Sequence, residues 1–112
     1  MEPQDTITIA PSVLITMARY SALGVEGVAR MGQTPVDVAR LVSGHPIGPG
    51  IVMEIEDNRV KADLYIVTRP GYSMLDVSRN VQAAIKRSMS DLVGMEVTSV
   101  NVHIEDVAEE GE

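Results

Sequence analysis

Asn101, His103 and Glu105 stand two residues apart in the stretch VTSVNVHIED, Val97 to Asp106. Positions two apart share one face of a strand. An imidazole and a carboxylate so placed could converge on a metal ion or exchange a proton with a substrate. Ligand count decides against the metal. A zinc site takes three or four protein ligands, and the only other histidine is His45, in a separate glycine-rich stretch. The row therefore reads as the wet side of a sheet, with Val100, Val102 and Ile104 on the other side facing a core.

Three other stretches have the spelling of a site without its chemistry. GVEG, Gly24 to Gly27, matches the GxxG of a KH-type nucleic-acid clamp. Glu26 would repel the phosphates such a loop must approach, so a tight turn built of small residues is the better account. GHPIGPG, Gly44 to Gly50, is glycine-rich but lacks the Gly-Lys-Ser/Thr ending of a phosphate loop. No serine sits in a nucleophile-elbow setting. The chain has no cysteine, which removes disulfides, thiolate metal ligands and cysteine nucleophiles. The expectation is a non-enzyme with no catalytic residue, metal or cofactor.

The net charge is −7 over 112 residues, and five of the acids lie in the closing EDVAEEGE, leaving −2 for the rest. A phosphate-backbone binder would show a basic stripe and a membrane-surface binder a polybasic patch; neither is present. No apolar run reaches the roughly 18 residues of a membrane span, and MEPQDT is the reverse of a basic signal-peptide start. Neither nucleic-acid binding nor direct membrane insertion is expected.

The elements that would hold these residues follow from periodicity. TITIA, Thr6 to Ala10, reads as a short strand. Pro11 then opens a helix with Leu14, Met17, Ala18 and Ser21 on one face, widened by Val13 and Tyr20. VEGVARM, Val25 to Met31, reads as a strand. In Gly32 to Gly50, Thr34 as cap, Pro35 as first residue and Asp37 start a short helix that runs to about Val42. The glycine- and proline-rich stretch after it is loop, and the whole segment is the first place to look for function.

Ile51 to Val67 reads as a hairpin on an Asp57-Asn58 turn. That register sets Ile55 opposite Val60, Met53 opposite Ala62 and Ile51 opposite Leu64. It also sets Glu54 opposite Lys61 and Glu56 opposite Arg59, so pattern and register agree. Ser73 and Asp76 open a second long helix, with Val77, Val81, Ala84, Ile85, Ser88, Met89 and Leu92 on its inner face and Gly94 as its stop. The order β-α-β-(short α)-β-β-α-β predicts an α+β two-layer sandwich, a mixed sheet with two main helices on one face. Residues 1–5 are expected as a tail, 6–104 as one domain and 105–112 as a solvated acidic tail.

ITIAPSVLITMARYSALGVEGVARM, ADLYIV, VSRNVQAAI and VTSVNVHIEDV, in this order, resemble the alkaline shock protein family of envelope stress-response proteins. The resemblance runs from Thr6 to Val107, and VEGV and VNVHI are its most specific pieces. It implies a small cytoplasmic α+β protein of the envelope stress response, without catalytic motifs. It also implies self-association and, as a further partner, a membrane-anchored protein that brings it to the inner face of the membrane. Gly32 to Gly50 has no match to that pattern.

The candidate interaction face is Asp63, Tyr65, Asn101, His103 and Glu105, taken with Val52 and Val67 to lie exposed on the open side of the sheet. The rival expectation is a small-ligand sensor. It requires a concave, partly apolar pocket beside the Gly32–Gly50 segment.

Overall fold

The computed structural model describes residues 5–42 and 44–111; the tail expected over residues 1–5 lies, but for Asp5, outside them. The elements are α1 (Pro11–Leu23), β1 (Val28–Met31), α2 (Val36–Leu41), β2 (Ile47–Gly48), β3 (Ile51–Glu56), β4 (Arg59–Thr68), α3 (Met74–Val93) and β5 (Glu96–Val107). This is an α+β fold with a mixed sheet.

β4 is the centre of the sheet. β5 runs parallel to it along one edge, from Arg59 opposite Glu96 to Thr68 opposite Val107. Strands joined in parallel need a crossover, and α3 supplies it. The other edge of β4 is shared. Antiparallel β3 takes residues 59–64 in the expected hairpin register, Asp57 at the turn adopting positive φ. Antiparallel β1 takes residues 66–68.

Tyr65 sits where the partner changes. Its N–H donates to Gly50 O and its carbonyl accepts from Gly32 N–H, both at 2.7 Å. A side-chain carbon on Gly50 would lie 2.7 Å from the oxygens of both Gly32 and Tyr65. Only glycine lets three backbones meet this closely.

The core lies between the helices and one sheet face. α1 contributes Leu14, Ala18 and Ala22, and α3 contributes Val77, Val81, Ile85 and Met89. They pack on Ile51, Met53, Val60, Ala62, Leu64, Ile66 and Val100. The alanines are fully buried and keep the helix-to-sheet spacing short. Ser21 and Ser88 share a hydrogen bond of 2.6 Å between the two helices. Gln82 on α3 donates to the Val100 carbonyl of β5. Ser73 caps α3 by accepting from the Asp76 N–H, and Gly94 closes it in the left-handed conformation.

Several expectations are corrected. Thr6 to Ala10 forms no strand, and Ile7 and Ile9 are exposed. Its alternation carries strand propensity, but a strand exists only with a ladder partner. The sheet gains β2 instead, a two-residue strand inside the stretch expected as loop. Val13, Tyr20 and Leu92, assigned to inner helix faces, are exposed, because each lies at the margin of its stripe and the core is narrower than the stripe. Thr34 does not cap α2: the cap position is Pro35, without a side-chain bond, and the Thr34 hydroxyl is buried with no partner. The boundary set at residue 105 falls inside β5. The ladder continues to Val107, and Ala108 is buried, its N–H donating to Thr68 O.

Candidate interaction face

The parallel register brings four of the five candidate residues together. Asp63 stands beside Asn101 and Tyr65 beside His103. The His103 ring stacks on the Tyr65 ring, centroids 4.5 Å apart and planes 15° from parallel. His103 Nε2 lies 3.1 Å from Asp63 Oδ1. A carboxylate can only accept, so Nε2 donates and the tautomer is fixed by the neighbour. Asn101 is exposed beside this pair.

Glu105 does something else. Its Oε1 accepts from the Gln33 backbone N–H at 2.8 Å and lies where a side chain on Gly32 would have to go. It ties β5 to the start of the segment that follows β1. Sequence reasoning missed this role, because a contact across 72 residues leaves no periodic signal.

Tyr65, Val52 and Val67 do not lie exposed as strand alternation predicts: they are only 7%, 4% and 2% exposed. Each is flanked on both sides, Tyr65 by His103 of β5 and by Gly32 and Gly50 at the junction of β1 and β3. Val52 lies between Ile47 and Asp63, and Val67 between Arg30 and Asp106. The open face therefore offers a polar surface, with Tyr65 as its floor.

That floor carries a pH signature. Burial raises the Tyr65 phenol above its ordinary 10.0, and the carboxylates of Asp63 and Glu105 push it further the same way. The folded state thus holds the phenolic proton more tightly than the unfolded chain. Stability from this source is complete below about pH 10 and falls as pH rises from there towards the folded value. The exposed Tyr72 shifts in the same direction through its bond to Glu26. Denaturant midpoints between about pH 8 and 11 should fall in the wild type and fall less in Tyr65→Phe; identical slopes would remove Tyr65 as the source.

Exposed apolar side chains lie at several other places: Ile7 and Ile9 before α1, Tyr72, Met74 and Leu75 at the start of α3, and Val36, Leu41 and Ile47 between β1 and β3. The chain leaves β1 for Gly32 and enters β3 after Gly50, and the described residues between these two glycines, 33–42 and 44–49, form an arm whose ends touch and whose last part is β2. α2 buries no residue, and Val36, Leu41 and Ile47 are 66%, 84% and 51% exposed. Among the described residues α2 makes no substantial packing contact with any other element. The glycines at both ends were the available sequence signal.

At the base of the arm is a cavity of about 220 Å³ between α1 and β2, lined by Ser12, Ile15, Thr16, Arg19, Ile47, Pro49 and Ile51. Arg19 Nε is buried there without a hydrogen-bond partner, the guanidinium lying over the Tyr20 ring with 5.1 Å to its centroid. No group of three or more His, Asp or Glu among the described residues could hold a metal ion, and no described helix is long and apolar enough to cross a membrane.

Residues 1–109 match the model of the alkaline shock protein family, which is described as having a "cell envelope-related function". The chain is 28% identical over 109 residues to the uncharacterized protein YqhY of Bacillus subtilis (strain 168), spanning 93% of this chain and 81% of that one. It is 29% identical over 105 residues to the uncharacterized protein Spy1535 of Streptococcus pyogenes serotype M6, spanning 93% and 80%. Among solved structures, a MamM CTD chain superposes with a TM-score of 0.56 at 13% identity, covering 94% of this chain and 88% of its own. Another, in a zinc form, gives 0.53 at 13% identity, covering 90% and 89%. At that identity the likeness is one of fold.

Proposed function

The chain belongs to the alkaline shock protein family, whose function is cell envelope-related, and from that premise we propose that it acts as a non-enzymatic interaction module of the envelope stress response. In this reading it works in the cytoplasm, associating with itself or docking on a membrane-anchored protein that holds it at the inner face of the membrane. The arm carries the reading. An acidic protein holds Val36 and Leu41 out on α2, which among the described residues makes no substantial packing contact with any other element, and exposes Ile47 on the short edge strand β2. Exposed apolar side chains gathered on one segment mark a contact surface. Asp63, Asn101 and His103 would add a polar recognition surface, with Tyr65 and Glu105 as its support.

The test is a Val36→Ser, Leu41→Ser double variant. Neither side chain contributes to the core, so stability should stay within about 0.5 kcal/mol of wild type. Association in sedimentation runs, and co-fractionation with membranes from the native cell, should both drop. A wild-type chain that sediments as a monomer and stays out of the membrane fraction would overturn the reading.

A small-ligand sensor has one observation in its favour, the cavity beside the arm with the Arg19 Nε that lacks a hydrogen-bond partner. It calls for an anionic, partly apolar ligand. A screen of short-chain carboxylates that leaves the melting temperature unmoved would set it aside.

A further inference from the structure

We infer that the outer face of α2 is a two-fold contact whose occupant is the same face of a second copy of this chain. The inference rests on the self-association reading and specifies its surface. The helix reads Val36-Asp37-Val38-Ala39-Arg40-Leu41. At about 100° per residue, Val36, Asp37, Arg40 and Leu41 fall on one side, and these four are the exposed ones. Val38, Ala39 and Val42 fall on the other and are half-buried.

Along the outer side the order is apolar, acid, base, apolar. This pattern is complementary to itself when run backwards. In an antiparallel pair centred between residues 38 and 39, Asp37 of each copy stands level with Arg40 of the other near the contact line, so the ion pair occurs twice, with Val36 and Leu41 along its two flanks. A parallel pair would set acid on acid and base on base. An interface in which one patch serves both subunits requires this kind of self-complementarity.

Charge argues against the other occupants. The outer face carries no net charge within a chain of −7, so an anionic lipid surface has nothing to attract it. An unrelated apolar helix would cover Val36 and Leu41 but leave the order of the charges without a use. Six residues make a helix about 9 Å long, so the contact is smaller than a standard interface of about 800 Å² per partner. The pair is therefore weak and reversible, and it fills when copies are concentrated.

The experiment is sedimentation of the full chain from micromolar to near-millimolar concentration. Wild type should show concentration-dependent association. Asp37→Arg gives each outer face two bases, and Arg40→Asp gives it two acids. Each variant alone should weaken association by about tenfold or more. An equimolar mixture of the two should recover it, since the doubly basic face then meets the doubly acidic one. Asp91→Arg makes the same charge change as Asp37→Arg on the exposed side of α3 and should leave association unchanged. Association that survives either α2 variant, or a mixture that gains nothing, overturns the inference while leaving self-association intact. A wild type that is monomeric at every concentration overturns it whatever the membrane fractionation shows.

Discussion

Gly50→Ala is expected to cost about 3 kcal/mol or more and to lower the melting temperature by more than about 10 °C. Two penalties combine. Gly50 has φ of 72°, where an alanine is strained whatever the space around it. The added carbon would also lie 2.7 Å from two backbone oxygens, one on Gly32 and one on Tyr65. Neither oxygen belongs to a side chain that can swing away, and the Tyr65 carbonyl is already accepting from Gly32. Relief would require β1 or β3 to move off β4. Gly71→Ala separates the two terms. Its φ is 87°, but nothing lies within 4 Å, so it carries the backbone strain alone, about 1 kcal/mol. Thermal melts of both variants make the check: equal shifts would show that the crowded junction has no cost of its own.

Tyr65→Ala should be nearly as damaging, about 3 to 5 kcal/mol by analogy with other buried aromatic truncations. The ring is almost entirely buried at the change of partners along β4 and supports His103 from below. Tyr65→Phe keeps ring and stack and should stay within about 1 kcal/mol. The stack itself is worth about 0.5 to 1.5 kcal/mol, which a double-mutant cycle with His103→Ala would read. If Tyr65→Ala unfolded at the wild-type denaturant midpoint, the residue would be a surface group and not the floor of the face.

Where the signal is local, the sequence carries the fold. The β3–β4 hairpin is legible because acid faces base and apolar faces apolar in one register only. α3 is legible because Ser73, the buried stripe and Gly94 agree. The parallel β4–β5 register follows from no local rule, yet it is what places His103 over Tyr65. Asp63, Asn101 and His103 could be grouped from strand alternation. The burial of Tyr65, Val52 and Val67 could not, because it depends on which strands flank them on both sides. The arm is visible in advance as an irregular segment. That its two ends meet, and that α2 stands clear of the core, are facts of tertiary structure.

The order in which the chain is made also matters. Partners across the β4–β5 ladder lie 37 to 39 residues apart, and β5 is the last of these elements to be synthesised. Contacts of that separation close late, since the entropy of the intervening loop is lost before they form. α1, the hairpin and α3 can assemble beforehand, but until Glu96 to Val107 is available the central strand has one bare edge beside Leu64 and Ile66. A nascent or truncated chain lacking those residues is an unpaired apolar ribbon, open to pairing with any other strand. Those twelve residues thus cover the apolar central strand and leave the sheet's open edge on β5, whose own side chains are mostly exposed or half-buried.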